Sequence, residues 1–199
     1  MKLKRWIWSL VIAVPIIGAA TGAIVVTQIK HSETKQDVTS YEVEWVYDGD
    51  TIKLTDGKKV RFRGVDTPET LKPSTVGKLA KYENYYAEKA TEYVYDVIKK
   101  NKNRVYLDIT GEDKYGRLVA IVYLDKAKNL KDSINNLLVE HGFARVAYIT
   151  VNNKHSIYNA ETELEINLYN ILMKSQQEAQ AKKLEIFSHP LNEVFYKGY

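Results

Sequence analysis

Five short stretches of alternating hydrophobicity, a long helical stretch between the third and the fourth, and two further helical stretches at the C-terminal end predict an α+β chain built on a small five-stranded barrel. An apolar N-terminal segment precedes it. The first strand is "YEVEWVY", which alternates and runs into Asp48-Gly49, a strong hairpin signal. "TIKLT" follows and ends at a second turn, Asp56-Gly57. "KKVRFRGV" is the third strand, with Val60 and Phe62 on one face and Arg61, Arg63 and Val65 on the other. The three strands form a meander.

Leu71 to Lys81 reads as a polar loop. Tyr82 to Lys100 is helical, with Tyr86, Ala90, Tyr93, Val94 and Val97 at helical spacing. "RVYLDIT" and "RLVAIVYL" are two more strands around "GEDKYG". "SINNLLVEHG" is a short helix with Ser133 to cap it and Gly142 to end it. "FARVAYI" is extended, and Ser156 to Phe187 reads as a long polar helix with a stripe at Leu164, Leu168, Ile171 and Leu172. Five strands with about three helices, one of them between strands three and four, is the layout of an OB-fold.

The N-terminus reads as membrane-directed. Residues 1–30 open with Lys2, Lys4 and Arg5 and continue as a charge-free run from Trp6 to Val26. As a helix that run measures about 31 Å, close to a bilayer core. Trp6 and Trp8 fall where interfacial aromatics lie. Two readings stand: an uncleaved single-pass anchor, or a signal peptide cut near Gly18 to Ala23. Both put the basic start in the cytoplasm and the domain outside. Residues 31–39 read as a polar linker and 40–199 as the domain.

The net charge of +4 is carried by the first thirty residues, where Lys2, Lys4, Arg5 and Lys30 are the only charges. The remainder is neutral, so bulk charge gives no case for nucleic-acid binding, and any site must be local. The chain has no cysteine, which excludes disulfides and thiolate zinc sites. Its four histidines are scattered without metal-ligand spacing. There is no serine elbow or glycine-rich phosphate loop.

What the chain does hold is "RFRGVDTPET", in which arginines on a strand run straight into carboxylates around a proline. If the first hairpin lies beside the third strand, Asp50, Asp66 and Glu69 converge, and such oxygen-only clusters suit hard cations. Arg61 and Arg117 offer planar forks that fit phosphate oxygens. Each fragment alone has a plainer reading. Asp-Gly-Asp is first a turn, Asp-Thr-Pro-Glu a turn or helix start, and a lone arginine a solvent-facing ion pair.

The ordered set "DGDTIKL", "VRFRGVDTPET", "DKYGRLVAIVY", "HGFARVAY" and "EAQAKKLEIF", spread over residues 41–188, is much more specific, and it resembles the staphylococcal nuclease (thermonuclease) family. The resemblance implies an OB-fold and a calcium-dependent phosphodiesterase that cleaves DNA and RNA and leaves 3′-phosphates. By motif position, Asp50 and Asp66 resemble the calcium carboxylates and the Thr67 carbonyl a further ligand. Glu69 resembles the general base. Arg61 and Arg117 resemble the arginines that grip the scissile phosphate, and Lys114, Tyr115 and Tyr148 the nucleotide contacts. Arg63 departs from the pattern and is expected to be a weaker phosphate contact or a solvent-facing charge. The competing reading is a noncatalytic nucleic-acid-binding module of the same fold, in which some of these acids or arginines would be missing.

Overall fold

The computed structural model describes residues 39–73 and 75–196. The membrane segment read over 1–30, and the linker except Thr39, lie outside the described residues. No helix of the described residues is long and apolar enough to cross a membrane.

The chain runs β1 (Ser40–Asp48), β2 (Thr51–Leu54), β3 (Lys59–Phe62), β4 (Val65–Asp66), α1 (Glu83–Lys100), β5 (Arg104–Glu112), β6 (Leu118–Tyr123), α2 (Ile134–Glu140), β7 (Arg145–Val146), α3 (Glu163–Ala181) and the short α4 (Leu191–Val194). Five strands close a barrel in the order β1-β2-β3-β6-β5, with β5 returning to β1. All pairs are antiparallel except β3–β6. Helix α1 provides the crossover that this parallel pair requires. The expected five-stranded barrel with a helix after its third strand is therefore present.

The alternation along the strands fills the barrel. Ile52, Leu54, Val60, Phe62, Val105, Leu107, Ala120 and Val122 are buried and share one core with Val94 and Ile98 of α1 and Leu168 and Leu172 of α3. Ser133 caps α2 through a bond from the Asn136 N–H at 3.2 Å. Asn135 on α2 is fully buried and ties β6 to the residue just past the end of β3. It accepts from the Val122 N–H at 2.9 Å and donates to the Arg63 carbonyl at 2.8 Å.

Three elements differ from the sequence reading. "KKVRFRGV" is not one strand: it breaks at Gly64 (φ 80°) into β3 in the barrel and β4, so Arg63 and Val65 do not continue the face of Arg61. The long C-terminal helix begins at Glu163 rather than near Ser156. Thr162 and Glu165 form a reciprocal capping box there, and a cap that satisfies the first free N–H groups fixes a helix start better than apolar spacing does. "FARVAYI" keeps only Arg145–Val146 as strand, because Tyr148 turns into the left-handed region (φ 56°) and ends the pairing. That short strand pairs with β4, setting Val65 opposite Val146 and Asp66 opposite Arg145.

Candidate active site

The β1–β2 hairpin places the first acid. Asp48 accepts from the Asp50 N–H at 3.3 Å, which closes the turn around Gly49. A Cβ on Gly49 would lie 2.7 Å from both Ala90 Cβ and Thr67 Cγ2, so the turn is pressed against α1 and the segment after β4. That close approach brings Asp50 to Thr67. Asp50 is 1% exposed and takes four donors. Oδ1 accepts from Thr51 Oγ1 at 3.0 Å and from Arg61 Nη1. Oδ2 accepts from the Thr67 N–H at 3.0 Å and Thr67 Oγ1 at 3.1 Å.

Arg61 joins the two acids. Thr51 is its β2 partner, and its Nη2 donates to Asp66 Oδ1 at 3.1 Å while Nη1 reaches Asp50. Burial opposes its charge, but Asp50, Asp66 and Asp48 outweigh burial and hold the guanidinium more firmly protonated than usual. The ring of Tyr148 lies 5.6 Å from the guanidinium carbon. Tyr148 in turn meets Tyr158 edge-on at 5.3 Å. Asp50, Arg61, Asp66, Thr67 and Tyr148, separated by up to 98 positions in sequence, are thus brought together.

Glu69 stands at the rim. Its side chain is about half exposed, and its carboxylate lies 3.9 Å from Lys72, which is also 3.8 Å from Asp48. Surrounding atoms still withdraw part of its solvation and raise its pKa, with Lys72 acting against the rise.

Lys114, Tyr115 and Arg117 form a separate group on the β5–β6 turn. Asp113 holds Arg117 through Nε and Nη2, both at 2.7 Å, and the Lys114 ammonium lies 5.0 Å from the Tyr115 ring. Among the described residues no hydrogen bond or ion pair joins Arg117 to Asp50, Arg61 or Asp66. The parallel register sets Val60 opposite Leu118, so Arg117 flanks the strand that carries Arg61.

The sequence reading missed three residues. Asp48 was read only as a turn. Burial first, and then the charge of Asp50, push its carboxyl up to about 7. Arg145 was not singled out. It grips Asp66 Oδ2 through Nε at 3.0 Å and Nη2 at 2.8 Å, and the Phe195 ring lies 3.9 Å from its guanidinium carbon. Its signal was a charged residue inside an otherwise apolar extended piece. Tyr158 gave no signal. Even with two arginines, burial and Asp50 leave the Asp66 pKa raised.

Arg63 corrects an expectation. It is not a solvent-facing charge. It is 9% exposed, pairs with Glu165 at 2.8 Å and donates to the Tyr148 carbonyl at 3.0 Å. It lies just past the end of β3, where Gly64 (φ +80°) turns the chain under α3. A Cβ on Gly64 would sit 2.8 Å from Leu172 Cδ1.

The donor set bears on the metal. Asp50, Asp66 and Asp48 are oxygen donors; burial first, and then the charge of Asp50, raises the pKa of Asp48 and of Asp66, and oxygen donors of this kind suit a hard divalent cation. Among the described residues no three acidic or histidine side chains surround a common point. A cation here would rely on two carboxylates and the Thr67 carbonyl, with water or substrate oxygens completing about 6–8 ligands. Arg61 already holds one oxygen of each carboxylate, so guanidinium and cation compete for them.

Comparison with known proteins agrees with this geometry. The family described as "Staphylococcal nuclease homologue" matches residues 59–189. The thermonuclease of Staphylococcus intermedius is 34% identical over 162 residues, covering 79% of this chain and 82% of that protein. Endonuclease YncB of Bacillus subtilis is 33% identical over 162 residues, covering 79% of this chain and 66% of that protein. The thermonuclease of Staphylococcus hyicus is 32% identical over 153 residues, covering 75% and 76%. The chain belongs to the staphylococcal nuclease homologue family.

Proposed function

We propose that the chain is a calcium-dependent nuclease that hydrolyses phosphodiester bonds of DNA and RNA and leaves 3′-phosphates. The observation that carries the reading is the fork of Arg61 set between the buried carboxylates of Asp50 and Asp66, with the carboxylate of Glu69 close enough to feel the charges of all three. The thermonucleases and the endonuclease among its relatives support it.

Phosphodiesters resist attack by water because their oxygens are negatively charged, so a catalyst must neutralise that charge and aim a nucleophile. Asp50, Asp66 and the Thr67 carbonyl would hold calcium, which supplies positive charge at the phosphate oxygens when bound. Arg61 supplies a second, fixed positive charge, already oriented by its strand and by both acids. Glu69 takes a proton from the attacking water, a role worth about 10²–10⁴-fold. Its raised pKa suits that task better than an ordinary carboxylate's does. Arg117 serves as a second phosphate grip. A guanidinium gives up its proton too reluctantly to serve as the acid. Lys114, Tyr115 and Tyr148 contact the nucleotide on either side. The binding-module alternative is disfavoured because none of these acids and arginines is missing.

The basic start and charge-free run support a chain held at the membrane with its domain outside. Secretion after signal cleavage is the alternative, and the mass of the mature N-terminus tells the two apart. The activity test is degradation of DNA and RNA by the full chain with calcium, with magnesium alone and with chelator. Strong activity in calcium, little in magnesium and none in chelator is expected. Equal activity after exhaustive chelation contradicts the metal assignment.

A further inference from the structure

Helix α1 carries two stripes. Ala87, Ala90, Val94 and Ile98 are buried in the domain. Glu88, Glu92 and Tyr95 share a second face, three to four residues apart, and with Trp45 and Val46 of β1 they line a largely apolar cavity of about 350 Å³. Trp45 is 63% exposed and Tyr95 53%, so two large flat rings stand bare beside one cleft. Lone exposed aromatics need no explanation, but a pair facing one cavity does.

The cavity adjoins the candidate site. Thr70 is part of its wall and is the residue after Glu69, while Val46 lies two residues before Asp48. The connection is also bonded. Asn84 accepts from the Leu71 N–H at 2.6 Å and donates to Glu88 at 2.8 Å, tying the Glu69 loop to the helix face that lines the cavity.

We infer that the cleft between Trp45 and Tyr95 is a stacking subsite for an unpaired nucleobase of the strand being cut, which rests on the nuclease reading above. Every base has a π-face that stacks on aromatic side chains regardless of sequence. The rim carboxylates of Glu88 and Glu92 repel phosphate but accept from the N–H edges of bases, so they select the base over the backbone. The volume lies at the small end of ligand pockets, enough for a base and small for a folded partner. A base enters only when unpaired, so the subsite favours single strands over duplex.

The chain has three tryptophans, and Trp6→Phe with Trp8→Phe leaves Trp45 as the sole tryptophan, excited selectively at the red edge where tyrosine does not absorb. The full chain with those changes and Glu69→Gln, which stops cleavage, is titrated in detergent and calcium with an oligodeoxyadenylate of about 12 nucleotides, within the span an OB-fold covers. An abasic strand of equal length and charge is the control. The oligodeoxyadenylate should quench Trp45 emission, and Tyr95→Ala should weaken its binding about tenfold, the scale of one lost stacking contact. The abasic strand should bind without quenching and be indifferent to Tyr95→Ala. Glu69→Gln and Tyr95→Ala change exposed side chains, so the folding of the domain is preserved.

If both strands bind alike, Trp45 stays silent and Tyr95→Ala has no effect, the subsite is wrong. Cleavage of the same oligonucleotide by the chain with Glu69 intact would then leave the nuclease reading standing. Failure to bind or cleave any strand overturns both. Trp45 emission that changes with protein concentration alone would assign the cleft to a second copy and also overturn the subsite.

Discussion

Arg61 and Arg63 are two residues apart and both mostly buried, with side chains 14% and 10% exposed, yet they belong to different parts of the molecule. Arg61 sits inside regular strand β3 and reaches the hairpin and β4, where Asp50 and Asp66 wait. Arg63 lies one residue beyond the strand and reaches Glu165 on α3 and the carbonyl of Tyr148. The same chemical group joins the two acids of the candidate site in one place and holds a helix to the barrel in the other. What separates them is where the strand ends and what packs over it. Residue type and alternation do not distinguish them.

The largest stability effect should come from the Arg63 side. Arg63→Ala leaves Glu165 charged and buried without its partner, and breaking such a pair costs about 3–5 kcal/mol. Thermal or denaturant unfolding should show that loss. Glu165→Gln, which keeps the capping geometry of α3, should lose less. An unfolding midpoint unchanged in Arg63→Ala would return Arg63 to the surface role that the sequence suggested.

Gly49→Ala sharpens the other side. The new methyl would meet Ala90 and Thr67 at 2.7 Å, so the hairpin must lift away from Thr67. Overpacking of this kind costs about 1–3 kcal/mol. Because Thr67 donates twice to Asp50, turnover should fall along with stability. A stability loss with unchanged turnover would separate the hairpin from the site.

The smallest effect belongs to the cap of α3. Thr162→Ala removes the donor-acceptor pair at the helix start and should cost about 1 kcal/mol without touching turnover. A fall in turnover per folded molecule would show that α3 reaches the active site after all.

Much of this was legible in the sequence, for reasons that can be named. The barrel followed from period-two alternation closed by Asp48-Gly49 and Asp56-Gly57, because turns and alternation are local signals. Asp50, Arg61, Asp66 and Thr67 were legible because the motifs around them are contiguous. Arg145 was not, since its meaning depends on β7 pairing with β4, a contact across 79 positions. The start of α3 was misplaced because residues 156–162 hold no glycine or proline to stop a helix, and the capping box of Thr162 and Glu165 went unread. Arg63 was misread because alternation predicts a face, and Gly64 ends the strand before that face matters. The N-terminal segment stays an expectation drawn from composition and length.

The central claim is that the Asp50–Arg61–Asp66 network, with Arg61 as its fixed cation, performs the chemistry. The direct measurement is kcat on a single-stranded DNA oligonucleotide in saturating calcium for Arg61→Ala and Arg63→Ala, at a temperature where both are fully folded. Losing a preorganised donor to a transition state costs about 10²–10³-fold. Arg61→Ala should fall by that much, and Arg61→Lys substantially, because lysine lacks the planar fork. Arg63→Ala, once folded, should stay within a few-fold of the parent chain. A folded Arg63→Ala that has lost its turnover, beside an Arg61→Ala that keeps it, would contradict the assignment.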